Sequence, residues 1–411
     1  MRAKRKRASQ QAPSEAQSPH PAGTRPAGER LFSRDFLLAS LVTLSTFSSF
    51  YLLLATLPVY VVQVGGTEAD VGLVMGVMSV TAVLLRPFVG KAADDHGKRP
   101  FILGGTALLA IVSALYSVAR AVPLLLGLRV FHGIGWAAFG TATSAVVADV
   151  SPRARRGAAM GYYGMFTNLA MAVGPALGVM LMNSFGFTVL FAASAGLAVV
   201  SVLLGTGIHE PARRSSPGPA DRANQGIIER TALFPALILA LTAMTYSSIV
   251  SFLPIYATKQ GIENPGLFFT AYATVLLVAR GFTGQLSDRY GRVAVIAPGL
   301  VLAALGLWLL AVADSLAAFL AVALLYGLAF AAIQPALMAL VVDRAPPARR
   351  GAAMGTFGTA MDLGIGAGSF VWGFVAQTAG YGTMYTLAGI VALGALGLFL
   401  AGARGRATRT T

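Results

Sequence analysis

Ionisable side chains are rare in this sequence, and a few lie within long apolar stretches. Asp362, in TAMDLGIGAG, follows Arg350 by twelve residues, which corresponds to roughly 18 Å along a helix. A carboxylate in so apolar a segment favours its neutral form and can bind a proton or a cationic ligand. The alternative is a structural hydrogen bond to a neighbouring helix. We predict that Asp362 couples proton movement to a substrate.

Arg129 and His132 lie close together in LRVFHGIG. Arg129 lies about six residues into an apolar stretch, on the order of 9 Å along a helix, where an unpaired cation is costly. We therefore expect Arg129 to face a central cavity. His132 either titrates near neutrality or donates a structural hydrogen bond. Both residues are predicted to contribute to proton coupling or to the substrate cavity.

Other chemistry is poorly represented. The chain has no Cys and four His, three of which (His20, His96 and His209) lie in the predicted tail or loops. The sequence contains no H-E-x-x-H, G-x-S-x-G or G-x-x-x-x-G-K-S/T motif, so zinc hydrolysis, serine hydrolysis and nucleotide hydrolysis are not indicated. We expect neither an enzyme nor a metal or cofactor site, and an ion gradient as the energy source.

The elements that position these residues are membrane helices. Of 411 residues, 56% are hydrophobic and 11% charged, with a mean hydropathy of +0.70, which excludes a soluble globular protein. Apolar runs of about 20 residues or more suffice to cross a bilayer as helices. The sequence predicts an all-α integral membrane protein with twelve spans at 36–62, 69–90, 100–119, 123–148, 157–183, 187–208, 231–258, 265–286, 293–313, 315–342, 351–378 and 382–402.

The net charge of +15 is distributed unevenly over the predicted loops. Of the 31 Lys and Arg residues, 26 fall on one side of the spans and two, Arg120 and Lys259, on the other. Cytoplasmic loops retain basic residues, so both termini are predicted to be cytoplasmic, in a cell membrane. Three arginines lie inside spans. We expect Arg86 and Arg280, four residues before the glycines of two loops, to lie near the cytoplasmic interface and to snorkel or pair with a gate.

Composition divides the chain into five parts. Residues 1–33 are predicted to be a disordered basic tail, whose RAKRKR cluster is expected to contact anionic lipid rather than nucleic acid. Residues 34–208 and 231–402 form two six-helix bundles. A Pro-, Gly- and Ser-rich cytoplasmic linker at 209–230 joins them, and 403–411 form a second cytoplasmic tail.

The two bundles are repeats of one another. LLRPFVGKAADDHGKR (84–99) aligns with VARGFTGQLSDRYGRV (278–293), and ADVSPRARRGAAMGYYG (148–164) aligns with VDRAPPARRGAAMGTFG (342–358). Both alignments have an offset of 194 residues. At this offset Asp362 corresponds to Asn168, which is polar but cannot titrate, so the deep acid belongs to the second half alone. We include Asn168 among the predicted cavity residues.

The repeated stretch resembles a loop of the major facilitator superfamily, G-x-x-x-D-R/K-x-G-R/K-R/K, which follows the second and eighth membrane helices. The resemblance covers about residues 34–402 and implies two pseudo-symmetric six-helix halves that rock about a central site, with a cytoplasmic gate. Asp95 stands where the family prefers a base, and we expect a weaker first gate for this reason. The matching residues are Gly90, Asp94, Gly97, Lys98 and Arg99 in the first half and Gly284, Asp288, Arg289, Gly291 and Arg292 in the second.

Two further acids, Asp149 and Asp343, end the fourth and tenth predicted spans on the side of these loops. The resemblance implies that they bond to the loop bases when the cytoplasmic side is closed. The predicted gate pairs are Asp94–Lys98/Arg99–Asp149 and Asp288–Arg292–Asp343. The alternative is that these charges only follow the positive-inside bias. The loop glycines are expected to make the sharp turns.

Two other motifs resemble this family. LRVFHGIG resembles R-x-x-Q-G-x-G, with His132 in place of Gln. NLAMAVGPALG supplies Gly174, Pro175 and Gly178 of the antiporter motif G-P-x-x-G-G, with Val179 in place of the last Gly. Ordinary G-x-x-x-G helix packing is the alternative. The partial match favours the drug:proton antiporter branch or the small-metabolite exporter branch.

The resemblance implies a proton-coupled efflux antiporter for a small amphipathic compound or drug, working by alternating access. One alternative is a proton symporter that imports a sugar or organic-acid nutrient. Another, from a different class, is a transporter-like receptor or sensor. The expected partners are a small-molecule substrate, protons and the lipid bilayer, and the chain is expected to be a monomer without nucleic acid.

Overall fold

Almost every residue that the structure describes lies in a helix. The computed structural model describes residues 32–152, 156–210, 229–262, 264–346 and 349–407, and no strand occurs in these ranges. The predicted N-terminal tail lies outside the described residues except for 32 and 33, and so does most of the predicted linker at 209–230.

Eleven helices follow one another along the described chain. Their membrane-capable stretches are long and apolar enough for ten candidate crossings. The helices are α1 (Arg34–Leu54), α2 (Leu57–Gln63), α3 (Glu68–His96), α4 (Arg99–Leu115), α5 (Val122–Val150), α6 (Arg156–Thr206), α7 (Leu233–Lys259), α8 (Gly266–Tyr290), α9 (Val293–Ala311), α10 (Leu316–Arg344) and α11 (Arg350–Ala407), with short 3-10 helices at Tyr116–Val118 and Arg230–Ala232.

The two longest helices each contain one residue with non-helical geometry. Gly186 (φ 79°, ψ 178°) divides α6 into α6a (residues 156–185) and α6b (187–206), and Gly380 (φ 81°, ψ 167°) divides α11 into α11a (350–379) and α11b (381–407). The two glycines are 194 residues apart, at equivalent places in the two repeats. Counted with these breaks, and with α1 and α2 as one span, the described chain has twelve segments, which confirms the predicted fold.

The chain reverses direction at Gly186. In α6a, Gly174 and then Gly178 approach Tyr51 and then Leu52 of α1. In α6b, by contrast, Ser194 bonds to Ser49 and the later Ser201 bonds to the earlier Thr46. α6a therefore runs parallel to α1 and α6b antiparallel to it, with one glycine between them.

The turns after α3 and α8 lie later than predicted. Gly90 and Gly284 are inside these helices, which continue to His96 and Tyr290. The turning residues are Gly97 (φ 92°) and Gly291 (φ 88°), because only glycine adopts such backbone angles at low cost. The expectation that the loop glycines make the sharp turns is met by Gly97 and Gly291 and was wrong for Gly90 and Gly284.

Because α3 and α8 end later than predicted, two arginines lie farther from the helix ends than predicted. Arg86 and Arg280 each lie ten residues before the end of their helix, about 15 Å along the helix axis at 1.5 Å per residue. The prediction that they lie near the membrane surface was wrong, because the motif between them and the turn is itself helical.

The N-terminal half (α1–α6) and the C-terminal half (α7–α11) meet along two pairs of helices, α3 with α11a and α6a with α8. We call the end that carries Gly97 and Gly291 the loop end, and the opposite end, where α7 finishes at Lys259, the far end. Towards the far end, α3 and α11a approach closely through glycine: a Cβ on Gly72 would lie 2.6 Å from the Ser369 carbonyl oxygen, and one on Gly76 3.0 Å from that of Gly366. Small residues allow such close approach of membrane helices.

Candidate functional site

An ion pair joins the two halves midway along their interface. Arg86 of α3 bonds through Nη2 to Asp362 of α11a, and its Nη1 donates to Thr359 Oγ1 at 2.7 Å. Trp136 Nε1 of α5 donates to the same carboxylate at 3.3 Å. The two charged side chains are 21% and 18% exposed. The structure thus gives Asp362 a cationic partner, and the expectation that Arg86 snorkels or serves the gate was wrong.

A second series of hydrogen-bonded polar side chains crosses the interface, and it contains no carboxylate. We call it the acid-free polar chain. Arg280 Nη2 of α8 donates to Gln334 Oε1 of α10 at 3.0 Å, and Gln334 Nε2 donates to Asn168 Oδ1 of α6a at 2.9 Å. Asn168 is therefore at the interface between the halves. Gln334 was missed by sequence reasoning, although an amide inside the apolar stretch AAIQPAL was a usable signal.

Arg129 is enclosed by one neighbouring helix. Its side chain is 1% exposed, and it donates to the Val74 carbonyl at 3.0 Å and to the sulfurs of Met75 and Met78 at 2.9 and 3.4 Å. All three partners belong to α3, in the same half. No carboxylate among the described residues pairs with Arg129. In this conformation the guanidinium packs against α3, and a role at the substrate stays a prediction.

His132 is also buried in the N-terminal half. Its Nδ1 lies 3.2 Å from Tyr116 Oη, and the side chain is 1% exposed. This contact is what a structural hydrogen bond requires. It leaves the alternative, titration by His132, as a prediction.

In the first loop, the predicted contact between Lys98 and Asp149 is present. Lys98 Nζ bonds to Asp149 at the end of α5. Arg99 does not share this acid: its Nη2 donates to the Thr206 carbonyl at 2.6 Å. The start of α4 is covered instead by Glu210, whose carboxylate accepts from the Lys98 backbone N–H at 2.8 Å. An anion at a helix N-terminus is favourable. Asp94 and Asp95 lie in the exposed last turn of α3.

In the second loop, one base contacts both predicted acids. Arg292 donates to Asp288 at 2.6 Å and to Asp343 at 3.2 Å, and also to Ser287 Oγ at 2.9 Å. Partial burial alone would lower the pKa of Arg292, but the hydrogen bonds to the two carboxylates outweigh it and raise the pKa above its usual value. Arg289 instead lies over the Tyr290 ring, 5.3 Å from its centroid.

These loop-end pairs lie within the halves. Lys98 and Asp149 both belong to the N-terminal half, and Arg292 and Asp343 to the C-terminal half. They fix each turn to the helix beside it. Their role in closing a gate stays a prediction.

At the far end, an ion pair does join the halves. Glu68 at the start of α3 accepts from Lys259 Nζ at 2.5 Å and from Tyr381 Oη at 3.2 Å. Beside it, the Ala69 backbone N–H donates to Gln377 Oε1 at 3.1 Å. Together with the glycine contacts of α3 and α11a, these bonds hold α3 against α7 and α11 at the far end. The sequence did not predict these bonds, because Lys259 served only to assign the side of the membrane on which its loop lies.

The Gly174, Pro175 and Gly178 segment of α6a packs tightly on α1. A Cβ on Gly174 would overlap Tyr51 Cβ, and one on Gly178 would overlap the Leu52 carbonyl oxygen. These contacts lie inside the N-terminal half. They agree with close helix packing, and the antiporter role of the motif stays a prediction.

Two open clefts lie at the far end. One of about 710 Å³ is in the N-terminal half, lined by Tyr60, Arg120 and Phe187 among others. The other, of about 400 Å³, lies between the halves near Val59 and Pro254. Neither includes a predicted site residue.

The sequence matches a family profile and several curated proteins along most of its length. The sequence profile of the Major Facilitator Superfamily matches residues 38–268 and 264–410. An uncharacterised MFS-type transporter of Methanocaldococcus jannaschii is 24% identical over 82% of this chain and 89% of its own length. The staphylopine export protein of Staphylococcus aureus is 23% identical over 87% of this chain and 93% of its own. The uncharacterised transporter YhhS of Escherichia coli is 28% identical over 84% and 86%.

Solved structures show the same fold. The human organic anion transporter MFSD10 (TETRAN) superposes with a TM-score of 0.67 at 20% identity, covering 91% of this chain and all of its own. The nucleoside transporter NupG superposes with a TM-score of 0.69 at 16% identity, covering 89% and 99%. Matching relatives are transporters rather than enzymes. The twelve helical segments, the duplicated loops and the profile match together establish that this chain is a membrane transporter of the Major Facilitator Superfamily.

Proposed function

We propose that this chain is a proton-coupled exporter of a small amphipathic compound, with Asp362 as the coupling acid. The observation that carries the proposal is the Arg86–Asp362 ion pair, because its two members belong to opposite halves. Any movement that separates α3 from α11a must break this pair. Breaking it leaves a carboxylate and a guanidinium in an apolar setting, which is costly unless one is neutralised.

A proton supplies that neutralisation. Protonated Asp362 no longer attracts Arg86 strongly, and the halves then separate at lower cost. Loss of the proton restores the pair and returns the halves to the arrangement described above. If substrate and proton are not held between the halves at the same time, inward protons drive outward substrate.

Export is supported by two observations. The Gly174, Pro175 and Gly178 segment resembles the antiporter motif, and its two glycines pack closely against α1. One relative that matches almost the whole chain is an export protein. The loop end is proposed to be cytoplasmic, with both termini on that side of the cell membrane, because most bases lie there. The chain is proposed to act as a monomer, without a cofactor other than the proton gradient.

The test uses purified full-length protein in liposomes with an imposed pH difference and two amphipathic dyes, rhodamine 123 and rhodamine 110. The wild-type chain is expected to accumulate dye against the direction of proton flow. Asp362→Asn is expected to lose at least nine-tenths of this accumulation while retaining dye exchange without a gradient, because the amide cannot titrate.

The matched control is Asp314→Asn, an acid-to-amide change at an exposed position between α9 and α10. It should accumulate dye like the wild type. Accumulation by Asp362→Asn equal to the wild type would remove Asp362 from the mechanism. Dye movement in the same direction as protons would show symport, the nutrient-import alternative.

A further inference from the structure

A group of unsatisfied polar atoms lies beside the acid-free polar chain. Arg280 Nε, Tyr246 Oη and Tyr272 Oη are each buried, and none has a hydrogen-bond partner among the described residues. Tyr246 is 1% exposed and Tyr272 2%. Buried polar groups are nearly always satisfied, and each exception is costly. Three such atoms in one place therefore indicate a missing partner.

The three residues face a common region. The Tyr246 and Tyr272 rings are 6.3 Å apart, centroid to centroid. Arg280 lies within electrostatic reach of both phenols and of Tyr51 from the N-terminal half. Phe330 packs against Tyr246 at 5.0 Å between centroids. The region thus contains hydrogen-bond donors surrounded by aromatic side chains, at the interface between the halves.

The charge of this region is positive and uncompensated. Arg280 has one bond to a neutral amide, from Nη2 to Gln334, and no ion pair with a described carboxylate. Arg86, at the same place in the other repeat, pairs with Asp362. A guanidinium and two phenol hydroxyls are all hydrogen-bond donors, so the missing partner is an acceptor with negative charge.

We propose that Arg280, Tyr246 and Tyr272 bind the carboxylate of an aromatic or amphipathic substrate. This rests on the proposed transport function and specifies its substrate class. The guanidinium plane matches a carboxylate, and the phenols donate to its remaining lone pairs. The aromatic rings provide apolar contact for the rest of the molecule. The donors are enclosed in the conformation described here, so the ligand reaches them when the halves separate.

The test measures equilibrium binding by the detergent-purified full chain, without a membrane or a gradient. Rhodamine 110 carries a free carboxylate, and rhodamine 123 is its methyl ester on the same ring system. We expect rhodamine 110 to bind at least tenfold more tightly. Equal binding of the two dyes, or no binding of rhodamine 110, would overturn the proposal. Because no proton gradient is used, failure here is separate from failure of the proposed coupling.

Three conservative variants locate the site. Arg280→Gln should abolish the preference for the carboxylate dye. Tyr246→Phe and Tyr272→Phe should each weaken rhodamine 110 binding about tenfold and, because they remove an unsatisfied hydroxyl, should leave the Tm of the ligand-free protein unchanged or higher.

The matched control is Tyr326→Phe. Tyr326 is fully buried beside Tyr272, but its hydroxyl bonds to Thr245 Oγ1 at 2.8 Å. Its removal should lower Tm and leave the preference between the dyes unchanged. Unaltered dye preference in Tyr246→Phe, Tyr272→Phe and Arg280→Gln, or a loss of preference in Tyr326→Phe equal to theirs, would show that these donors do not form the site.

Discussion

Arg86 and Arg280 occupy the same position in the two repeats, yet they bond to different chemistry. Each lies ten residues before the end of its helix. Arg86 contacts a carboxylate of the opposite half, whereas Arg280 reaches the opposite half through two neutral amides. Duplication kept the two bases, and the acid arose or survived at only one of the two partner positions. Equivalent positions of the two arginines thus do not imply partners of equal charge.

The difference separates two tasks. A paired base releases its acid only when a proton is bound, so the pair of Arg86 and Asp362 is suited to sensing protons. A base without an acid needs an anion from elsewhere, so the equivalent place, where Arg280 reaches Asn168 through Gln334, is suited to holding one. Under the two proposals, the proton acts at the Arg86–Asp362 pair and the substrate beside the equivalent Arg280–Asn168 pair.

Asn168→Asp removes this difference. Gln334 Nε2 can still donate to the new side chain, but the added carboxylate supplies the negative charge that Arg280 lacks. We expect rhodamine 110 affinity to fall about a hundredfold, equivalent to about 2.7 kcal/mol, in an equilibrium titration near neutral pH. Asn183→Asp, which adds the same charge at an exposed position of α6a, should bind like the wild type. Wild-type affinity in Asn168→Asp would contradict the charge comparison.

The turns after α3 and α8 should respond alike, which tests where the two repeats remain equivalent. Gly97→Ala and Gly291→Ala force a side chain into positive φ, at a cost of about 1–3 kcal/mol. Gly97→Ala should cost at least as much as Gly291→Ala, because its Cβ would also lie 3.0 Å from Glu210 Oε2, while nothing lies near Gly291.

The control for the turns is the first motif glycine. Gly284 is helical with open space around it, so Gly284→Ala should raise stability by about 0.5–1 kcal/mol. Thermal unfolding in detergent gives all three values. Equal destabilisation by Gly284→Ala and Gly291→Ala would mean that the turn extends through the whole motif.

The far-end pair Glu68–Lys259 has no equivalent in the other repeat, since the corresponding positions hold Ile262 and Gly65. Glu68→Gln should therefore loosen the far end, by about 1 kcal/mol for a partly exposed pair. In the Cys-free chain, a single Val59→Cys in the cleft between the halves reports this as a labelling rate about fivefold faster. Asp70→Asn, in the same turn of α3, should leave the rate unchanged. An unchanged rate in Glu68→Gln would show that glycine packing alone closes this end.

The sequence predicted the spans and their repetition well, and contacts poorly. Apolar runs locate the twelve spans, and the offset of 194 pairs Asp362 with Asn168. The partners of Asp362 could not be predicted, because the rotation of α3 against α11a decides which side chains meet, and hydropathy does not report rotation. Gly90 and Gly284 were assigned to turns because glycine permits them, but the positive φ falls at Gly97 and Gly291. Gln334 escaped notice because its equivalent, Gly140, is apolar.

The reversals at Gly186 and Gly380 restrict how these halves can move. One residue joins α6a to α6b, and one joins α11a to α11b, so neither hairpin has slack. Sliding one arm past the other by a helical turn would need about 5.4 Å of chain, which a single glycine does not provide. Each hairpin must then move as a rigid unit. When α11a is displaced at Asp362, α11b rotates with it about Gly380. Lengthening either reversal by a few residues would uncouple the arms without altering any side chain of the site.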